Sequence, residues 1–272
     1  MSRATELSQN AERAYSVGDN APKAAGAAQM SGGTNKAKDR GVHIAHLSKN
    51  FGSVCALNDL TLEIPAGHIV GLMGENGSGK TTLLKILAGV MLNYQGEVLI
   101  DGERPGLSTK ARVSFLPDTS AAPARLTGKQ VGQMYADFFP DFSMARALEK
   151  LRFFGVPLDR PAARLSKGQR EKLQIAMAVA REAEFYFFDE PLSGVDPAAR
   201  DQILHGILTD LPESATMIIS THLIQDIEAI VSSAIFMHAG AVRISGEADA
   251  LRSEYGMSLD GLFRQMYQWE GK

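Results

Sequence analysis

Apolar and polar positions divide the chain near residue 41. Residues 1–40 are rich in Ala, Ser, Gly, Asn and charge, with Tyr15 their only aromatic. So little apolar surface cannot offset the entropy of ordering, so a mobile, disordered N-terminal extension is expected, with a transient helix around Thr5–Val17. From Val42 short strands follow: Val42, Ile44 and Leu47 in one run, then Leu60, Leu62 and Ile64 alternating with Thr61 and Glu63 at period two. Pro65-Ala66-Gly67 turns into the apolar run Ile69–Met73. Thr82-Leu83-Leu84-Lys85-Ile86-Leu87-Ala88 then reads as helix, stopped at Gly89. Glu97–Ile100 and Arg112–Leu116 read as further strands.

Helical spacing dominates from about Leu126 to Arg181, so an inserted α-helical subdomain is expected at about 119–183. It includes Leu148, Leu151 and Arg152 on one helix, closed by Gly155-Val156-Pro157, and the aromatic group Phe138-Phe139-Pro140-Asp141-Phe142 as packing. Ser166 and Gln169 form a capping box for a helix whose apolar face is Leu173, Ala176, Met177 and Ala180. Phe185–Phe188 is a continuous bulky apolar run, the mark of a parallel strand covered on both faces, and Thr216–Ser220, apolar at Met217-Ile218-Ile219, reads as the next buried strand. Ala234–His238 and Ala241–Ser245 flank Ala239-Gly240 as a hairpin. Leu259, Leu262, Phe263 and Met266 predict an amphipathic helix within 251–272. The sum is an α/β fold: a mainly parallel core, a small antiparallel β layer and a helical insertion, in a main domain of 41–250.

Composition narrows the classes. At 272 residues with a formal net charge of −3 there is no basic surplus, and nucleic acid is not an expected partner. The single cysteine, Cys55, excludes an intrachain disulfide and fits a reducing, cytoplasmic compartment. Between Val54 and Ala56 it reads as packing. No run approaches eighteen uninterrupted apolar residues, so no membrane span is expected.

Chemistry concentrates in Gly74-Glu75-Asn76-Gly77-Ser78-Gly79-Lys80-Thr81, which fits G-x-x-x-x-G-K-[ST] between a strand and a helix. Glycines let successive amides curl around phosphate oxygens, and the helix N-terminus, with Thr82 in its first turn, adds its dipole. Lys80 is expected to reach the β- and γ-phosphates and Thr81 to hold Mg²⁺. Asp189 and Glu190 end a buried strand at the edge where such folds place their sites. Asp189 is expected to help hold Mg²⁺ and Glu190 to polarise the attacking water. His222 comes to the same edge after Thr221.

Together these motifs resemble the ATP-binding subunits of ABC transporters over residues 42–250, in order: the phosphate loop, Leu165-Ser166-Lys167-Gly168-Gln169 as signature, Asp189-Glu190, a Ser-Gly-x-Asp loop and a histidine. The resemblance implies ATP and Mg²⁺ as ligands and Phe51 stacked on adenine. It implies Ser166 and Gly168 meeting the γ-phosphate of ATP held by a second copy, with Gln169 beside them among the nucleotide-binding residues, Asp196 coupling two sites, and His222 sensing the γ-phosphate. Lys167 stands where the family has glycine. Asp118 stands where it usually has a metal-contacting glutamine. The implied assembly is an ATP-dependent homodimer on a membrane permease at the cytoplasmic face, most like the ATPases of bacterial drug or antimicrobial-peptide exporters. A soluble non-transport ABC ATPase is the nearest alternative, although neither the tandem domains nor the coiled coils of such proteins are present. An ATP-gated regulatory module is opposed by Glu190 and His222.

Overall fold

The computed structural model describes residues 40–119 and 122–270, with side chains through 266. The expectations for Thr5–Val17 and the N-terminal extension lie outside the described residues.

β1 (Gly41–Phe51), β2 (Val54–Pro65) and β4 (Gln95–Ile100) form an antiparallel sheet in the order β2-β1-β4. Val42 pairs with Ile64 on one side and with Ile100 on the other. The second sheet has six strands. β3 (Ile69–Met73), β5 (Val113–Leu116), β6 (Phe185–Asp189), β7 (Thr216–Thr221), β8 (Ser233–His238) and β9 (Ala241–Glu247) lie in the order β5-β6-β7-β3-β8-β9. All neighbours are parallel except the β8–β9 hairpin, which turns through Ala239 (φ 48°) and Gly240 (φ 79°). Positive φ at both turn residues matches the right-handed twist of the flanking strands.

Side chains alternate across a strand, so β6 serves two cores. Phe185 and Phe187 join Val42, Ile44, Leu47, Leu72, Val98 and the inner face of α1 (Lys80–Leu87) on one side. Tyr186 and Phe188 join Met217, Ile219, Leu173 and Met177 on the other. Each fully buried aromatic contributes on the order of 1.5–3 kcal/mol, so this strand is a principal anchor of the site at its end.

Between β5 and β6 the chain forms α2 (Gly128–Phe138), α3 (Met144–Phe153) and α4 (Lys167–Val179). Side-chain oxygens of Thr127, Ser143 and Ser166 cap their first turns. Phe139 and Phe142 pack against Tyr135 at 5.6 Å, as a packing cluster should, whereas Phe138 is exposed. After β6 comes α5 (Pro197–Asp210), and after β9 come α6 (Ala248–Tyr255) and α7 (Leu259–Glu270).

Two expectations need correction. The amphipathic helix on Leu259, Leu262, Phe263 and Met266 is α7, as the spacing predicts, but it begins at Leu259 and not at 251: α6 runs across position 251 and ends at Gly256 (φ 65°), a left-handed cap. Cys55 is exposed rather than packed, because burial in β2 begins only at Leu57, and its thiol donates to the Leu57 carbonyl at 3.3 Å.

Candidate functional site

β3 is central in the parallel sheet, and the chain leaves its end through Gly74–Gly79 into α1. Gly79 has φ 106°, and a Cβ there would fall 2.7 Å from the Ala56 carbonyl oxygen, so only glycine fits. The loop is closed by Ser78 N–H donating to Glu75 O at 3.2 Å and by Gly240 N–H donating to Ser78 O at 3.1 Å. No side chain caps α1 and no acidic residue lies in its first turn. Its first amides and the dipole are left for an anion. Glu75, Asn76 and Gly77 form the exposed crest.

Lys80 is buried and donates to the carbonyls of Gly74 (2.6 Å) and Glu75 (3.1 Å). Its Nζ lies 3.4 Å from Glu190 Oε1. Glu190 Oε2 lies 2.9 Å from His222 Nδ1, so this carboxylate sits between two groups that can carry positive charge. Its backbone is left-handed, at φ 49°, and its N–H donates to the Ser220 hydroxyl and carbonyl.

Asp189 is 1% exposed, and its Oδ1 accepts from the Ser220 hydroxyl at 2.6 Å. Burial pushes its pKa above the ordinary value. Hydrogen bonds from Ser220 and Thr81 oppose that shift, while the charges of Asp118 and Glu190 add to it. Its Oδ2 is shielded from solvent and has no hydrogen-bond partner. An orphaned buried carboxylate oxygen beside a threonine hydroxyl suits a divalent cation bound chiefly by oxygen. Among the described residues no group of three or more His, Cys, Asp or Glu side chains could hold a metal ion.

Six expected residues therefore meet at the strand ends: Lys80, Thr81, Asp118, Asp189, Glu190 and His222. Ser220, absent from the expectation, joins them; its signal was a hydroxyl at the polar end of β7, before Thr221, in register with Asp189. Phe51 is 48% exposed near the end of β1, with Lys49 Nζ 5.0 Å from its ring. Ser166 and Gln169 form the reciprocal box, each backbone N–H donating to the other's side chain at 3.1 Å. Asp196 stands at the start of α5, exposed. Among the described residues no hydrogen bond or ion pair joins Ser166, Gln169 or Asp196 to Lys80, Asp189 or Glu190.

A parallel sheet, a glycine loop opening a helix and two carboxylates at the adjoining strand end define a P-loop nucleoside triphosphatase. Comparison with known proteins narrows this. The family model described as "ABC transporter" matches residues 57–193. NatA of Bacillus subtilis, an ABC transporter ATP-binding protein, is 30% identical over 222 residues, covering 77% of this chain and 89% of NatA. The daunorubicin resistance ATP-binding protein DrrA3 of Streptomyces coeruleorubidus is 27% identical over 226 residues, covering 80% of this chain and 72% of that protein. ATP-binding cassette sub-family A member 7 of rat is 31% identical over 209 residues, but the match spans only 10% of that protein. A solved ATP-binding subunit of an ABC transporter superposes with a TM-score of 0.72 at 28% identity, over 83% of this chain and 99% of its own. The chain belongs to the ABC transporter family, and within it is an ATP-binding, ATP-hydrolysing subunit.

Proposed function

We propose that two copies of this chain close head to tail around two ATP molecules and drive an integral membrane permease from its cytoplasmic face, in the direction of export. The carrying observation is that, among the described residues of one chain, no hydrogen bond or ion pair joins the Lys80–Glu190 cluster to the Ser166–Gln169 group. A two-fold pair brings each group to the other copy's complement. In that arrangement Phe51 stacks on adenine, and Ser166, Gly168 and Gln169 meet the γ-phosphate held by the partner. Asp196 lies between the two sites. Export is supported by the Lys-Gly-Gln signature and by the likeness to a daunorubicin resistance protein. Among the described residues no helix is long and apolar enough to cross a membrane, so the permease is a separate chain or segment in this reading.

The chemistry follows from the chain's own groups. Glu190 Oε1 lies against Lys80 and Oε2 against His222. When a triphosphate occupies the loop, the Lys80 ammonium turns to its β- and γ-oxygens and frees the carboxylate. Glu190 then takes a proton from a water as the water oxygen bonds to the γ-phosphorus and the bond to the β–γ bridging oxygen breaks, giving ADP and phosphate. His222 hydrogen-bonds a γ-phosphate oxygen. Thr81 and Asp189, with Asp118, would hold Mg²⁺, which supplies charge stabilisation to the phosphates.

The test is Glu190→Gln, which keeps shape and removes the base. Turnover should fall by about 10²–10⁴-fold, the usual loss with a general base. The protein should accumulate as a dimer in light scattering with Mg-ATP, not with Mg-ADP, and not when Ser166→Arg is added. A monomer under every condition, from a parent that hydrolyses ATP, would overturn the paired arrangement.

A further inference from the structure

Helix α4 begins at the signature, but its next turn touches a different functional segment. A Cβ built on Gly194 would fall 1.7 Å from Glu171 Oε1, 2.3 Å from its Cδ and 2.4 Å from its Oε2. The Glu171 carboxyl therefore fills the space that any side chain at 194 would need. Gly168, at the signature itself, faces the same loop, with the Gly194 carbonyl 3.9 Å from its absent Cβ. Gly194 is not in the left-handed region, so the backbone does not demand glycine; the carboxyl does.

The loop it touches runs from Glu190 to Asp196. Leu192 and Val195 are buried and pin it to the core, leaving Ser193 and Gly194 as an arch between them. Ser193 N–H donates to the Glu190 carbonyl at 3.2 Å, so the arch is one hydrogen bond from the catalytic glutamate. At the other end Asp196 opens α5. Glu171 Oε2 is shielded from solvent and finds no partner, and the nearest cation, Lys167 Nζ, stands 3.9 Å from Oε1. Burial raises the Glu171 pKa, against the pull of Lys167 and Arg170. A carboxyl with one oxygen buried and unpartnered, packed against a glycine backbone, is poorly explained as surface decoration.

We propose that Glu171 is a positioning residue: a strut from the signature helix to the arch that follows Glu190, fixing the catalytic carboxylate relative to the signature of the same chain. This rests on the paired reading above. In that pair a chain's Glu190 works in one site and its signature in the other, so the strut is the intrachain link between the two sites. In this reading the residue acts through the arch and not on the nucleotide itself.

Gly194→Ala offers a second handle, because the three atoms nearest its new methyl all belong to Glu171, a flexible side chain that can swing away. That substitution evicts the carboxyl without deleting it. The experiment measures steady-state ATPase against Mg-ATP concentration for the full chain carrying Glu171→Ala, Glu171→Gln, Gly194→Ala, and Glu171→Ala with Gly194→Ala. Misplacing a catalytic group by a fraction of an ångström should lower kcat about tenfold or more while KM for ATP moves less than about twofold. Glu171→Ala and Gly194→Ala should lose the same amount, the double variant no more than either, and Glu171→Gln should keep at least half of the parental kcat. A Hill coefficient above one in the parent should fall to one in both alanine variants.

Parental kcat and Hill coefficient in Glu171→Ala would overturn the strut. So would losses in the two single variants that multiply in the double, since independent sites add in free energy. If Glu171→Ala does not fold, Gly194→Ala, with α4 unchanged, decides alone. A Glu190→Gln protein that stays monomeric with Mg-ATP would instead sink the paired reading, while the kcat comparison among these variants still judges the strut.

Discussion

Arg181, just beyond α4, is 3% exposed and gathers three parts of the chain. Its Nε lies 3.1 Å from both Asp141 oxygens, and Nη2 lies 3.0 Å from Oδ2. Nη1 donates to the Val113 carbonyl at 2.6 Å and Nη2 to that of Ala111 at 2.9 Å. The Phe139 ring lies 4.0 Å from the guanidinium carbon. Arg181→Met keeps much of the volume but strands Asp141 and two carbonyls. Breaking one partner of a buried pair costs about 3–5 kcal/mol. Asp141 keeps some access to water, so the lower end, about 3 kcal/mol, is expected. At about 2–4 °C per kcal/mol for a domain of this size, the midpoint should drop by roughly 6–12 °C. Differential scanning calorimetry of the nucleotide-free protein measures it. Adding Asp141→Leu should recover most of the loss, because an apolar pair replaces a lone buried charge. None of these bonds reaches Lys80, Asp189 or Glu190, so ATPase well below the midpoint should be retained. A loss under about 1 kcal/mol would refute the reasoning, since that is the worth of an exposed pair.

Lys80→Ala removes the cation that reaches into the phosphate loop; ATP affinity should weaken and turnover vanish, and unchanged values by titration calorimetry and phosphate release would remove the loop from the mechanism. Asp189→Asn keeps the Ser220 bond and deletes a buried charge whose folded pKa lies above 3.8. The native state thus binds that proton more tightly than the unfolded chain, and stability falls as pH rises from 3.8 through the folded value. The asparagine variant should melt higher than the parent at neutral pH, with the gap closing on acidification, while losing ATPase; a lower midpoint at neutral pH would contradict this. Asp118→Gln removes a charge that acts on Asp189. It should retain or raise ATPase, and a loss beyond about tenfold, roughly 1.4 kcal/mol of barrier, would give the carboxylate its own role.

What the chain disclosed in advance was mostly local. The phosphate loop, the Ser166–Gln169 box and the Ala239-Gly240 turn depend on residues a few positions apart, so spacing alone carries them. The apolar run Phe185–Phe188 foretold a strand buried on both faces because a short run of bulky apolar residues ending in acidic ones suits a strand covered on each side. Cys55 was misread because its apolar neighbours suggested packing, whereas that part of β2 extends beyond the core and leaves Val54 exposed. The division of the C-terminal segment turned on Gly256, whose helix-ending role competes with good apolar spacing on both sides. Ser220, the Arg181–Asp141 pair and the Glu171–Gly194 contact join residues 23 to 40 positions apart, as their numbering shows. Only the folded sheet order and helix docking bring them together, and periodicity carries no such information.

The left-handed backbone at Glu190 has a consequence for how this enzyme can change. A long L side chain at φ 49° sits about 1–2 kcal/mol above its preferred basin, a cost glycine avoids and asparagine largely escapes. Stability and catalysis therefore pull this position in opposite directions. A library sorted only for heat resistance would enrich glycine or asparagine there and discard the ATPase. The conformation persists because the Ser220 hydroxyl and carbonyl hold the Glu190 amide, aiming the carboxylate between Lys80 and His222.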